Sequence, residues 1–184
     1  MKHPKQTLMA LAALLGVTII SAFTILPATP RPSDPASEQS PKVQDQDYAI
    51  KKVPQVPYDQ LLQAIASSYK GQVVLIDFWA TWSGTCKDAM AQMEPLKSGI
   101  YSGAKYVYIT SQTSPRNLWE RMITSIKGDH YYLSTNQLQA IFKQIGTDSF
   151  PTYLVVGKDG VISEPFIGYS DDVTDALELE LLRY

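Results

Sequence analysis

A three-layer α/β/α sandwich around a central mixed β-sheet is the fold class this sequence predicts, and three observations predict it. The runs VVLIDF (Val73 to Phe78) and KYVYIT (Lys105 to Thr110) have the length and β-branched, apolar character of strands covered on both faces. Segments with helical spacing of apolar residues separate the strand-like runs. The chain then finishes on a hairpin pattern and one more helix, which adds antiparallel strands to an otherwise parallel arrangement.

The first helix rests on Tyr58, Leu61, Leu62, Ile65 and Tyr69, with Pro57 ahead of it and Gly71 just beyond. After VVLIDF, Ser83 is a good N-cap for a helix over Gly84 to Lys97, with Cys86 in its first turn. Ser114 and Pro115 open another helix, Ser as cap and Pro in the first turn, presenting Trp119, Met122, Ile123 and Ile126 on one face. A short HYYLS stretch leads to Leu138, Ile141, Phe142 and Ile145 at the same spacing, closed by Gly146. Thr152 to Val156, a turn at Lys158-Asp159-Gly160 and Val161 to Ile167 read as a β-hairpin, and a last helix runs from about Asp172 to Arg183.

This domain, residues 58–184, follows two segments of different character. In residues 1–28, Lys2 and Lys5 precede an apolar stretch from Leu8 to Leu26, the pattern of an export signal. Leu26-Pro27-Ala28 puts a bulky residue where a signal peptidase prefers a small one, so the segment reads as an uncleaved membrane anchor, with the rest of the chain on the outer side. A secreted form is the alternative if it is cleaved. No cysteine directly follows the stretch, which argues against a lipoprotein. Residues 29–57 read as a tether, because seven of the twelve prolines fall between Pro27 and Pro57, among Ser, Gln and Asp.

Composition narrows the function. A formal net charge of −2 supplies no basic field, so nucleic acid is not an expected partner. The single cysteine, Cys86, rules out an internal disulfide and a cysteine-rich metal site, and no metal or cofactor is expected. Any disulfide this chain forms is intermolecular.

The segment DFWATWSGTCK, Asp77 to Lys87, resembles the thioredoxin signature DFWAxWCGPCK at eight of its ten specified positions, departing at Ser83 and Thr85. With AMAQMEPLK, VYITSQTSP and FPTYLVVGKDG, the similarity extends over the whole domain and points to the extracytoplasmic, membrane-associated TlpA-like thioredoxins. The resemblance implies a thioredoxin fold and a site where two cysteines flank a Gly-Pro pair at a helix N-terminus. There the first is the attacking thiolate and the second resolves the mixed disulfide.

Carried onto this chain, Ser83 stands at the attacking position and Cys86 at the resolving one. A serine hydroxyl forms no mixed disulfide, so dithiol exchange is expected to be lost. Ser83 reads as a helix cap, worth about 1 kcal/mol over alanine. A serine nucleophile lacks a partner, because the only histidines are His3, in the signal segment, and His130, which the resemblance places far from the motif. Cys86 reads as a small buried residue, or alternatively as a monothiol taking one mixed disulfide from glutathione or a protein. Asp77 matches a buried acid that relays a proton to the resolving thiol, and Thr85 replaces the motif proline.

Phe150 and Pro151 match the family's cis-proline loop beside the motif. Of the aromatic pair, Trp79 is assigned to the core and Trp82 to a surface contact. Trp82, Gly84, Thr85, Phe150 and Pro151 are the expected substrate-binding residues. The expected partners are extracytoplasmic peptides or proteins, thiol-containing ones among them. A non-enzymatic peptide-binding module is the reading from another class. His130 is expected to be a packed or surface histidine without a role at the site.

Overall fold

The alternation of side chains along the strands decides the layers. In the computed structural model, which describes residues 47–99 and 102–183, six strands form one sheet: β1 (Tyr48–Ile50), β2 (Val74–Phe78), β3 (Lys105–Ser111), β4 (Gly128–Leu133), β5 (Thr152–Val156) and β6 (Phe166–Ile167). Their order is β1-β4-β3-β2-β5-β6, with β1, β4, β3 and β2 parallel and β5 antiparallel to both β2 and β6. Val74, Ile76 and Phe78 of β2, with Val107 and Ile109 of β3, face α1 (Leu61–Ser67) and α4 (Thr135–Ile145) in one buried cluster. The alternate residues Leu75, Tyr153 and Val155 face α2 (Gly84–Lys97) and α5 (Asp171–Leu182) through Met93 and Leu181. A third cluster joins Trp79, Cys86 and Tyr108 to Trp119 of α3 (Arg116–Met122). The predicted three-layer mixed α/β sandwich is therefore the fold.

Helix boundaries follow the capping chemistry. Ser134 caps α4 through a reciprocal capping box with Gln137, and Gly146 ends it in the left-handed conformation at φ 73°. Pro115 itself occupies the α3 cap, not the first turn, and the first helical residue is Arg116. Ser114 is thereby released for another task. Its Oγ accepts from the Thr81 N–H at 3.0 Å and bonds the Thr110 hydroxyl at 2.9 Å, tying the loop after β2 to the end of β3.

Three strands differ from the sequence expectation, one of them the second hairpin arm, which is strand only at Phe166–Ile167, with a lone bridge from Ile162 to Val156 in place of continuous pairing from Val161 onward. The domain begins before residue 58: Tyr48 to Ile50 pair with Gly128 to His130, the Lys51 N–H donates to the His130 carbonyl, and Val53 and Val56 pack on the α1/α4 core. A proline-containing stretch with three strand residues suffices at a sheet edge, where only one side is paired. Residues 1–28, expected to be a signal segment, and most of the expected tether lie outside the described residues. Strand β4 carries Asp129 and His130 in a fully enclosed position, which hides its strand character in the sequence.

Asp129 is paired on both oxygens, whereas His130 pairs through Nε2 and leaves Nδ1 buried without a partner. Asp129 accepts from Tyr69 OH and Lys105 Nζ, both at 2.9 Å, with Lys51 Nζ at 3.3 Å. Burial pushes its carboxyl up, but the hydrogen bonds from Lys105, Tyr69 and Lys51 outweigh that and hold it below the usual range. His130 stacks on Tyr108 with centroids 4.9 Å apart. Its Nε2 lies 2.8 Å from the Ile126 carbonyl, so Nε2 carries the proton. Burial lowers the pKa of this ring and keeps it neutral. Gly128 opens β4 at φ 139°, where a Cβ would lie 2.7 Å from the Tyr106 carbonyl oxygen.

Candidate active site and adjoining groove

Strand β2 ends at Phe78, and the chain turns through Trp79 to Trp82 into the N-terminus of α2. Ser83 is the N-cap in extended conformation. The Cys86 N–H donates to Ser83 Oγ at 3.1 Å, and Thr85 Oγ1 lies 3.0 Å from the same oxygen. A hydroxyl thus takes one of the unpaired amides that a helix start always leaves. Cys86 follows in the first turn, 1% exposed, packed among Trp79, Tyr108 and Trp119. Burial pushes its thiol up, against a partial pull down from the Ser83 hydroxyl and the Ala80 backbone. The sulfur is therefore a shielded thiol.

Asp77 lies beneath it on the α2 face of β2. Its Oδ1 is buried and has no hydrogen-bond partner. Burial pushes the carboxyl up to about 7, against the opposing pull of Lys97. Lys97, in the last turn of α2, donates to Tyr108 OH at 2.6 Å and to Glu94 Oε2 at 2.9 Å. Asp77, Lys97 and Tyr108 border a cavity of about 10 Å³, room for about one water. Across the β2–β5 pair Tyr153 is the register partner of Asp77, and its hydroxyl is also buried without a partner.

On the outer side the residues expected to bind substrate come together. Trp82 is 59% exposed and meets Phe150 edge-on, centroids 5.7 Å apart, while Phe150 rests on Phe142 at 5.3 Å. The Phe150–Pro151 peptide bond is cis. Beside it runs a groove of about 240 Å³ whose walls include Thr85 and Asp88 of α2, Phe150 and Pro151, and Gly168 and Tyr169 from the segment after β6. Gly84 faces open space, where an added Cβ would meet nothing within 4 Å. Trp79 is core, as expected, and His130 is a packed residue under Tyr108.

Sequence reasoning did not single out Lys97, Tyr108, Tyr153, Asp88 or Tyr169. Lys97 reads as an ordinary dipole-complementing lysine in the last turn of a helix. Only the register that sets β3 beside β2 reveals what it faces. Asp88 and Tyr169 come together only through the return of the chain after β6.

Comparison with known proteins bears on the family and the fold. Residues 43–179 match the Redoxin family model. Thioredoxin-like protein YneN of Bacillus subtilis is 28% identical over 102 residues, 54% of this chain and 58% of its own length. The chain thus spans less than two thirds of that curated relative. Among solved structures, a thiol:disulfide interchange protein of the thioredoxin family from Chlorobium tepidum superimposes with TM-score 0.51 at 23% identity, covering 64% of this chain and 84% of that one. The exposed lipoprotein thioredoxin Etrx1 of Streptococcus pneumoniae does so with TM-score 0.51 at 18% identity, covering 65% and 90%. At these identities the likeness concerns the fold, and the family rests on the sequence match. That match spans the sheet, the capped motif helix and the cis-proline loop, and the chain, with its thioredoxin-like fold, belongs to the Redoxin family.

Proposed function

We propose that this chain is a membrane-tethered, extracytoplasmic thioredoxin-like protein that has lost dithiol exchange and kept the peptide groove. One observation carries the reading: Ser83 Oγ sits on the Cys86 amide at 3.1 Å, where the exchange cycle needs a sulfur. The apolar stretch from Leu8 to Leu26 behind Lys2 and Lys5 supports export and anchoring. Among the described residues, no helix is long and apolar enough to cross a membrane. The test is dithiothreitol-driven reduction of insulin by the full chain in detergent. The expected rate equals buffer; a rate clearly above it would sink the proposal.

A binding role is the reading that the exposed Trp82 on Phe150 and the adjoining groove favour. Phe150 forms no backbone hydrogen bond among the described residues, which leaves its amide and carbonyl for an extended peptide. A monothiol cycle through Cys86 finds less support, because its sulfur is buried and its thiol is held up by that burial. Incubation of the folded chain with oxidised glutathione is expected to leave its mass unchanged. An added glutathione on Cys86 would revive the monothiol cycle.

A further inference from the structure

The groove has a sign as well as a shape. Asp88, in the second turn of α2, is the only charged side chain on its wall, exposed and without a hydrogen bond or ion pair among the described residues. Phe150, Pro151 and Tyr169 give it an aromatic and apolar side, with Ala89 and the neutral amide of Gln92 on the α2 wall and the Thr85 hydroxyl at the end nearest the motif. The segments that supply these walls add Asp148, two residues before Phe150, and Asp171, two after Tyr169, both exposed. Lys87 is the one cation next to a wall residue of α2 in sequence, and it does not line the groove.

A carboxylate over an apolar, aromatic trough suits a side chain with a long hydrocarbon stem and a cationic head. The stem lies on Phe150 and Tyr169, and the head reaches the carboxylate. From this charge complementarity we infer that the groove selects extended peptides that place a lysine or arginine beside Asp88, making Asp88 a specificity-determining residue. The inference rests on the peptide-binding reading of the groove. It assigns that groove a client class, unfolded or extended segments with a basic residue among apolar ones. An isolated acidic segment would meet like charge there and be rejected.

The experiment uses the full chain in nonionic detergent and three fluorescein-labelled octapeptides of alternating alanine and valine with a central lysine, methionine or glutamate, read by anisotropy. Wild-type affinity is expected to fall from lysine through methionine to glutamate, by roughly threefold to fivefold per step at low salt, the scale of an exposed charge pair. The ranking should compress at high ionic strength. Asp88→Asn is expected to bring the three peptides within about twofold of one another, and Asp88→Lys to invert the order; both changes sit on an exposed helix position, and circular dichroism checks the fold. Equal wild-type binding of all three peptides, weakened uniformly by Trp82→Ala or Phe150→Ala, would overturn the charge selection while leaving the groove reading intact. Binding of none would overturn both.

Discussion

Ser83→Cys is expected to raise dithiothreitol-driven insulin reduction at pH 7 by roughly tenfold or more over the wild-type protein. The position is already built for a thiolate. It caps α2, the Cys86 N–H points at its side-chain atom, and the Thr85 hydroxyl is 3.0 Å from the same atom. A helix start of this kind lowers a thiol's pKa from about 8.5 to about 7 or below, which turns a thiolate fraction of a few per cent into a half or more. Cys86, one turn on, then supplies the resolving sulfur, and its buried, raised pKa makes it wait until the mixed disulfide has formed. The double variant Ser83→Cys, Cys86→Ser separates the steps, because it should accumulate a mixed disulfide with insulin and not turn over. Two titratable thiols in a folded Ser83→Cys protein with no gain in rate would mean that more than one atom has been lost from the site.

The second large effect is on stability. Asp77→Asn should stabilise the fold by about 2 to 4 kcal/mol at pH 8 and hardly at all at pH 4. The sign follows from linkage. The carboxyl has a pKa near 3.8 in an exposed setting and about 7 in the fold. Between those values the unfolded chain releases the proton and the folded chain keeps it, so folded stability is lost as pH rises through this window and stays low above it. About three pKa units at about 1.4 kcal/mol each set the upper end, the opposing pull of Lys97 already included. Asparagine keeps the shape and removes the ionisation. Urea unfolding of both proteins at pH 4, 6 and 8 measures the difference, and a gap that does not widen with pH would place the titrating carboxyl elsewhere. Asp129 has the opposite slope: its folded pKa is depressed, so its contribution is present above about pH 4 and fades on acidification.

Much of this was legible because local chemistry and tertiary demand agree. The span of α2, its Ser83 cap and the Gly146 stop are fixed by groups within one turn of each other, so the sequence shows them. VVLIDF reads as a doubly covered strand because five of its six residues are apolar, and Asp77 stands out as the exception. The failures have a common cause. In β4, Asp129 and His130 break the apolar pattern, and the groups that compensate them come from Tyr69, Lys105 and Tyr108, far away in sequence. In β1, three strand residues sit in proline-rich surroundings and depend on pairing with β4. At the site, the motif residues were visible, whereas Lys97, Tyr153 and Asp88 matter through neighbours that only the register and the returning chain bring to them.

The cap at the head of α2 has an evolutionary consequence. The Ser83 oxygen keeps the amide of Cys86 satisfied and starts the helix without any thiol at this position. Selection for a stable fold is therefore nearly blind to which of the two atoms stands there. Only a demand for electron transfer can hold the cysteine in place. Lineages released from that demand are free to drift to serine in one substitution, and able to return by the same step.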